Sequence, residues 1–440
     1  MNITCVAHRY WPHVGGVERY MHELAKALVA MGHTVRVIAG DTTGQLAPRD
    51  VRDGVSIHRF PASRSPARCR LWFLRHRHLL TRADVVHVSN THMLEYVRRM
   101  LGRIVDRRKL FLTRHGMSLK FPVPASERIR ARWSLHHCAG VIHDGAFIAR
   151  WLHVEPDLCV DQGLNPEADA LPEIPEPPPR SAVYIGRLEP DTGIRTYIDA
   201  VRILNHTTRH WPETPGPRVP ALSTSSHDAA PTHSDPRTAH HRPGDQLTAN
   251  PYRAMRDPYH ELSNPYGAMC NRDSDMHNPY RNAFTLDVYG DGSLGAELRA
   301  VVTRESLPVF FHGRIPAAQD RFVDACFAFV DGRMAIHEAM ARRRLVLAAY
   351  DHQLKRDYVC GERFSPYLVA VGGAGQLADR VAYFAAHEDK RRSMTDGAFA
   401  YARRLSWPRT ALAYERLWRA RLAATPVLTQ CPVTRCGVRS

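Results

Sequence analysis

At 440 residues the chain is too long for one ordinary core, so two or three domains are expected. Hydrophobic residues make up 44% and charged residues 24%, which excludes a disordered or fibrous chain, and no apolar run approaches the length that spans a bilayer. The formal net charge of +16, nearly all of it arginine, suits phosphate-bearing ligands or an anionic surface as well as a solvated coat. No homeodomain-like, zinc-finger or RRM-type signature accompanies it, so nucleic acid is not expected as a partner.

From the N-terminus, the apolar stretch Ile3–Ala7 is too short for a signal peptide and ends at His8-Arg9-Tyr10. Ile3–Ala7, Thr34–Ala39, Val55–Phe60, Asp84–Val88, Leu110–Arg114 and Gly140–His143 read as strands. Between the first two, Glu18–Met31 reads as a helix, its apolar residues Tyr20, Leu24, Ala27, Leu28 and Met31 recurring at helical spacing. The stretch Pro172–Arg180 (PEIPEPPPR) cannot enter a sheet centrally and reads as a linker, within 171–180, closing a first domain of residues 1–170. A second strand set follows over 181–405: Ala182–Gly186, Thr285–Gly290, Val309–Gly313, Cys326–Val330 and Leu345–Ala349. Strands alternating with helices in both halves imply two doubly wound parallel sheets, with ligands expected where the strands' carboxyl ends meet.

One low-complexity segment, 205–282, interrupts the second domain and reads as a disordered insertion. It carries a degenerate heptad at Asn250, Asp257, Asn264 and Asn278, each followed by Pro-Tyr, and a proline per heptad forbids a coiled coil. Its histidines, among them His227, His233, His240 and His241, lack ligand spacing and read as solvated loop residues. Leaving a helix and entering a strand, it belongs at the amino edge of the sheet, away from the chemistry. Nine scattered cysteines, without CxxC, read as free thiols in a reducing cytoplasm, and no metal site is expected.

Chemistry concentrates at strand ends. Gly15-Gly16 precedes a helix, where backbone can approach a phosphate at a positive dipole end, although a tight turn needing positive φ explains the pair equally well. Arg187, in Gly186-Arg187-Leu188, is suited to clamp a diphosphate, the competing reading being a surface ion pair with Glu189. Gly290 closes a strand as a structural turn, and Gly313-Arg314 offers backbone to a nucleobase. Glu338 lies near the start of a helix, placed either for ribose hydroxyls or for dipole compensation. Asp144, in His143-Asp144-Gly145, ends another strand, with turn capping the favoured reading over catalysis. The Arg68–Arg77 stretch mixes arginines with Trp72 and Phe73. It reads either as an ordinary amphipathic helix or as a peripheral contact with an anionic membrane.

In this order the segments HRYWPHVGGVERYMHELAKALVAMGHTVRVIAG, VYIGRLEPDTGI, LDVYGDGSLGAEL, VFFHGRI and IHEAMARRRLVLAAY resemble glycosyltransferase family 4. The resemblance runs from Asn2 to about Leu422 apart from the insertion, and includes SWPRTALAYERLW, where the family has a final helix (here 406–422, before a tail of 423–440) crossing back to the first domain. It implies the two-lobed GT-B fold and a retaining transfer from a nucleotide diphosphate sugar, needing neither metal nor other cofactor. The acceptor implied is a carbohydrate or a lipid-linked molecule, in a cytoplasmic or membrane-peripheral setting serving cell-envelope polysaccharide or glycolipid synthesis. Roles implied are Gly16 on the donor diphosphate, His115 near the reacting sugar, Arg187 on the diphosphate and Glu338 on the ribose, beside the further donor-binding candidates Gly15, Gly313 and Arg314.

The chain departs from the family at Thr192, where lysine is usual, and at Val330, where the first of two glutamates is usual and Asp331 stands beside it. A shorter loop brings Gly332-Arg333, with Arg333 a candidate substitute for the lost charge and Asp144, Arg333 and His337 secondary site candidates. These departures motivate a competing reading, a degraded sugar-nucleotide-binding or scaffolding protein. An epimerase or phosphorylase is disfavoured by Gly15-Gly16 together with IHEAMA.

Overall fold

The computed structural model describes residues 1–13, 15–62, 65–102, 104–116, 121–164, 177–206 and 282–424. The heptad repeats and histidines of the insertion, most of the proline-rich linker and most of the tail lie outside them.

Among the described residues eight strands form the first sheet: β1 Asn2–Ala7, β2 Thr34–Gly40, β3 Arg49–Arg52, β4 Val55–Phe60, β5 Val85–Val88, β6 Leu110–Arg114, β7 Gly140–His143 and β8 Leu158–Cys159. Their order is β3-β4-β2-β1-β5-β6-β7-β8, parallel except for β3 against β4. Six parallel strands form the second: β9 Ser181–Ile185, β10 Thr285–Tyr289, β11 Val309–Gly313, β12 Phe327–Phe329, β13 Leu345–Ala349 and β14 Val369–Val371, in the order β11-β10-β9-β12-β13-β14. Both sheets belong to one compact unit. β1 and β9 lie inside their sheets and are apolar on both faces, as strands sandwiched between helices must be.

The sequence pattern missed β3, β8 and β14. β8 and β14 have only two and three residues, and β3 (RDVR) is a polar edge strand without apolar alternation. Its hairpin turn was nevertheless visible as Asp53-Gly54, whose φ values of 49° and 76° are those of the turn that suits a twisted hairpin.

The first helix, Gly16–Ala30, buries Tyr20, Met21, Leu24, Ala25, Ala27 and Leu28 against the sheet. The last helix among the described residues, Trp407–Ala423, opens with Ser406 accepting the Arg409 N–H and packs on that same core, not on the second domain's. Trp407, Ala411, Tyr414 and Trp418, at helical spacing, are buried there, and truncating an aromatic as deep as Trp418 costs about 3–5 kcal/mol. The Tyr414 hydroxyl links to the Tyr20 hydroxyl and to Thr113 Oγ1, both at 2.8 Å, so this helix fixes the first sheet close to its carboxyl edge.

Within the Pro66–Arg75 helix, Cys69 and Phe73 face inward, Phe73 packing on Phe60 and Tyr96, while Leu71 and the arginines Arg68 and Arg70 stay exposed. Among the described residues no helix is long and apolar enough to cross a membrane. The six cysteines among them are free thiols.

Candidate active site

At the carboxyl edge of the first sheet, β6 delivers His115 and β7 delivers Asp144. His115 Nδ1 lies 2.8 Å from Asp144 Oδ2, and Asp144 Oδ1 accepts the Gly116 N–H at 3.1 Å. Burial alone would raise the Asp144 carboxyl. His115, Arg333 and the Gly116 N–H outweigh it and hold the group below its ordinary value. An ionised Asp144 makes His115 Nδ1 the donor, which sets the tautomer. Asp144 therefore ties down the neighbouring strand's loop instead of capping its own turn. Tyr20 lies edge-on to the imidazole, ring centroids 5.0 Å apart, and its own hydroxyl is held by Tyr414.

Gly15 has an extended backbone and Gly16 begins the helix, so neither needs positive φ and the tight-turn explanation of the pair fails. A Cβ on Gly16 would meet nothing within 4 Å, which leaves open space before a helix N-terminus. The carboxyl ends of β1, β4 and β5 also frame a cavity of about 380 Å³, lined by His8, Phe60, Ala62, Asn90, His92, Met93 and Tyr96.

At the second sheet's carboxyl edge, Arg187 pairs with Asp191 at 2.8 Å, not with Glu189, which instead accepts the Ser293 N–H and hydroxyl. Gly290 is structural: its φ is +148°, and a Cβ there would sit 1.8 Å from the Gly186 carbonyl. Gly313 has φ +69° and open space before it, while His312 beside it reaches Asp287 at 2.7 Å and stacks on Tyr289. Arg314, next in the chain, is exposed.

The two edges touch. Arg19, on the first domain's first helix, meets Glu338 of the Arg333–Ala341 helix at 2.6 Å. The Phe147 N–H donates to Glu362 at 3.1 Å, and the Trp151 indole N–H to Asp357 at 3.0 Å. Arg333 is buried between the domains, 3.2 Å from Glu362 and 3.7 Å from Asp161. A Cβ at Gly145 would collide with its guanidinium at 2.4 Å, so glycine there makes room for it. Arg333 is thus engaged by Glu362 and Asp161 and does not replace the charge missing at Thr192. His337 lies wholly inside the core between Phe364 and Tyr401, where desolvation and then Arg333 push its pKa down to about 3.

Sequence reasoning missed Arg19 and Lys355. The Lys355 ammonium lies 3.1 Å from Asp331 and 3.2 Å from the Asp191 carbonyl. Lys355 is one of only five lysines in a chain rich in arginine, and it follows a strand end as the other candidates do, so a signal was present.

Two parallel-sheet domains with candidate ligand groups where their carboxyl edges meet define the GT-B architecture. Solved structures share it: sucrose-phosphate synthase from Thermosynechococcus elongatus has a TM-score of 0.63 at 15% identity, over 97% of this chain and 100% of the other. HepE of Anabaena, solved with UDP-glucose, has a TM-score of 0.60 at 13% identity, over 96% and 99%. WaaG, a glycosyltransferase involved in lipopolysaccharide biosynthesis, has a TM-score of 0.55 at 13% identity, over 94% and 98%. Residues 14–155 match the family model of Glycosyltransferase Family 4, so this part of the chain is similar to that family and the whole chain shares the GT-B fold. No curated protein sequence matches the chain.

Proposed function

We propose that the protein transfers a sugar, of hexosyl type, from a nucleotide diphosphate donor to a carbohydrate or lipid-linked acceptor, with retention at the anomeric carbon. The observation that carries this reading is the placing of His115, held by ionised Asp144, at the edge that meets the strand ends bearing Arg187 and Glu338. The donor would lie with its diphosphate toward Gly15, Gly16 and Arg187, its base against Gly313 and Arg314, and its ribose on Glu338. UDP is the first nucleotide to try, because HepE was solved with UDP and UDP-glucose. Arg187 and the helix N-terminus would stabilise charge developing on the leaving phosphate, so the proposed step needs no metal. That phosphate would then take the acceptor's proton on the face it leaves from. The acceptor would enter by the cavity lined by Phe60, Met93 and Tyr96, whose apolar walls suit a sugar face or a lipid-linked group. A cytoplasmic site, with the Arg68–Arg77 segment peripheral to an anionic membrane, accords with this acceptor class.

One observation favours a second reading, a protein that binds nucleotide sugars without turnover. Arg187 and Glu338 are both already engaged, by Asp191 and Arg19. Release of nucleotide from a panel of labelled donors separates the two readings. Turnover that falls in Arg187→Ala and Glu338→Ala supports the transferase, whereas no turnover by the parent chain on any donor and acceptor extract removes it.

A further inference from the structure

Thr192 leaves the Arg187–Gly193 loop one cation short of the family resemblance, and its hydroxyl donates to the Glu189 carbonyl at 2.8 Å, within its own turn. A cation reaches the same loop from elsewhere. Lys355 belongs to the helix Gln353–Cys360 that follows β13, and its side chain is only 3% exposed. Its ammonium contacts one carboxylate oxygen of Asp331, at the end of β12, and the backbone carbonyl of Asp191. Asp331 in turn accepts the Gly193 N–H at 3.1 Å, immediately before the helix Ile194–His206. Loop, carboxylate and lysine come from the ends of three adjacent strands, β9, β12 and β13.

The chemistry of this group is unbalanced in a useful way. An ammonium has three N–H donors, and the two partners among the described residues take two of them. Burying a lysine is costly unless its charge is well matched, and here one carboxylate is shared between the ammonium and a backbone N–H. A purely structural pair would be served as well by an apolar replacement. On the same loop Arg187 is well exposed, with Asp191 between it and the lysine.

We propose that Lys355 is the second cation of the donor site, acting on the donor's diphosphate from β13 while Arg187 acts from β9. This rests on the reading that a nucleoside diphosphate binds at this edge. The Lys355 stem is flexible enough to move its ammonium from the Asp191 carbonyl to a phosphate oxygen while keeping Asp331 as counter-ion. The site would then hold two positive groups on the anion, supplied by elements far apart in sequence.

The test is calorimetric titration of the full chain with UDP, ADP and GDP, and with the nucleoside matching the tightest of the three. The informative variant is Lys355→Met combined with Asp331→Asn, which removes both buried charges and leaves neither unpaired; its melting curve verifies the fold. Diphosphate affinity is expected to fall about tenfold or more, with nucleoside affinity unchanged. If the parent chain binds a diphosphate and the double variant binds it equally well, the proposal is overturned while the donor reading stands. If nucleoside and diphosphate affinity fall together, Lys355 is only structural, and the proposal is again overturned. If the parent chain binds no nucleoside diphosphate at all, the donor reading itself fails.

Discussion

His115 and Asp144 in the first domain are buried, 6% and 8% exposed, and satisfy each other within one sheet edge, whereas Arg187 and Asp191 in the second are 59% and 55% exposed on a loop. The first pair is fixed in geometry, with Asp144 ionised, before any ligand arrives. The second holds its charge in water, where an ion pair is worth little and is easily exchanged for another anion. On the proposed function, rigidity thus lies where a reacting sugar would be oriented, and exchangeable charge where a diphosphate would enter and leave. Arg333 is an exception: it lies in the second domain but is as deeply buried as His115 and Asp144.

The comparison can be tested by its largest consequence, acid stability. His87 and His143 in the first domain, and His337 in the second, are buried as neutral rings with pKa values pushed down to about 3, desolvation being the main cause. Because the unfolded chain binds these protons from about pH 6.5 downward and the folded chain does not, the stability they provide is present above that pH. It is lost as the pH falls toward 3, at no more than about 1.4 kcal/mol per pH unit for each histidine. Urea unfolding between pH 7.5 and 4.5 is expected to show this decline. A His337→Leu variant should show it less steeply, and equal slopes would contradict the assignment.

Next in size, Arg333→Met should cost about 3–5 kcal/mol, because Glu362 is left buried beside Asp144 without its cation. Adding Glu362→Gln should return most of that. A single-variant cost below about 1 kcal/mol would mean that Arg333 does not join the domains. Asp144→Asn keeps shape but removes the charge that sets the His115 tautomer, and transfer should drop by about 10²-fold with donor affinity little changed. Loss of donor affinity with turnover intact would reverse the comparison. The smallest effect is on stability in Arg187→Ala, under about 1 kcal/mol in a thermal melt, because the pair it breaks is solvated. The same variant should weaken diphosphate binding about tenfold, a difference the melt would not reveal.

Much of this was legible in the chain. The strands that end in His115, Asp144, Arg187 and Gly313 are apolar runs with a residue of chemical interest directly after them, and period and position suffice to find such runs. The gap at Thr192 was legible too, but its resolution was not. Arg333, the arginine of the shortened loop after Val330, was the wrong candidate because burial beside Glu362 and Asp161 consumes its charge. Lys355 reaches the loop across 164 residues, a separation over which no local pattern carries information. Arg19 and Glu338 are ordinary helix residues until the two domains bring them together, and Glu338 stands in the second turn of Arg333–Ala341, too far from its start for dipole compensation.

By itself the sequence determined that there are two parallel sheets and which strand ends carry polar and charged groups, since alternation and burial on both faces are properties of neighbouring residues. Only the tertiary structure decided which of those groups are available to a ligand. Charge in a folded chain depends on what shares its low-dielectric surroundings, and those partners, from Asp144 for His115 to Asp331 for Lys355, come from strands adjacent in space and distant in the chain.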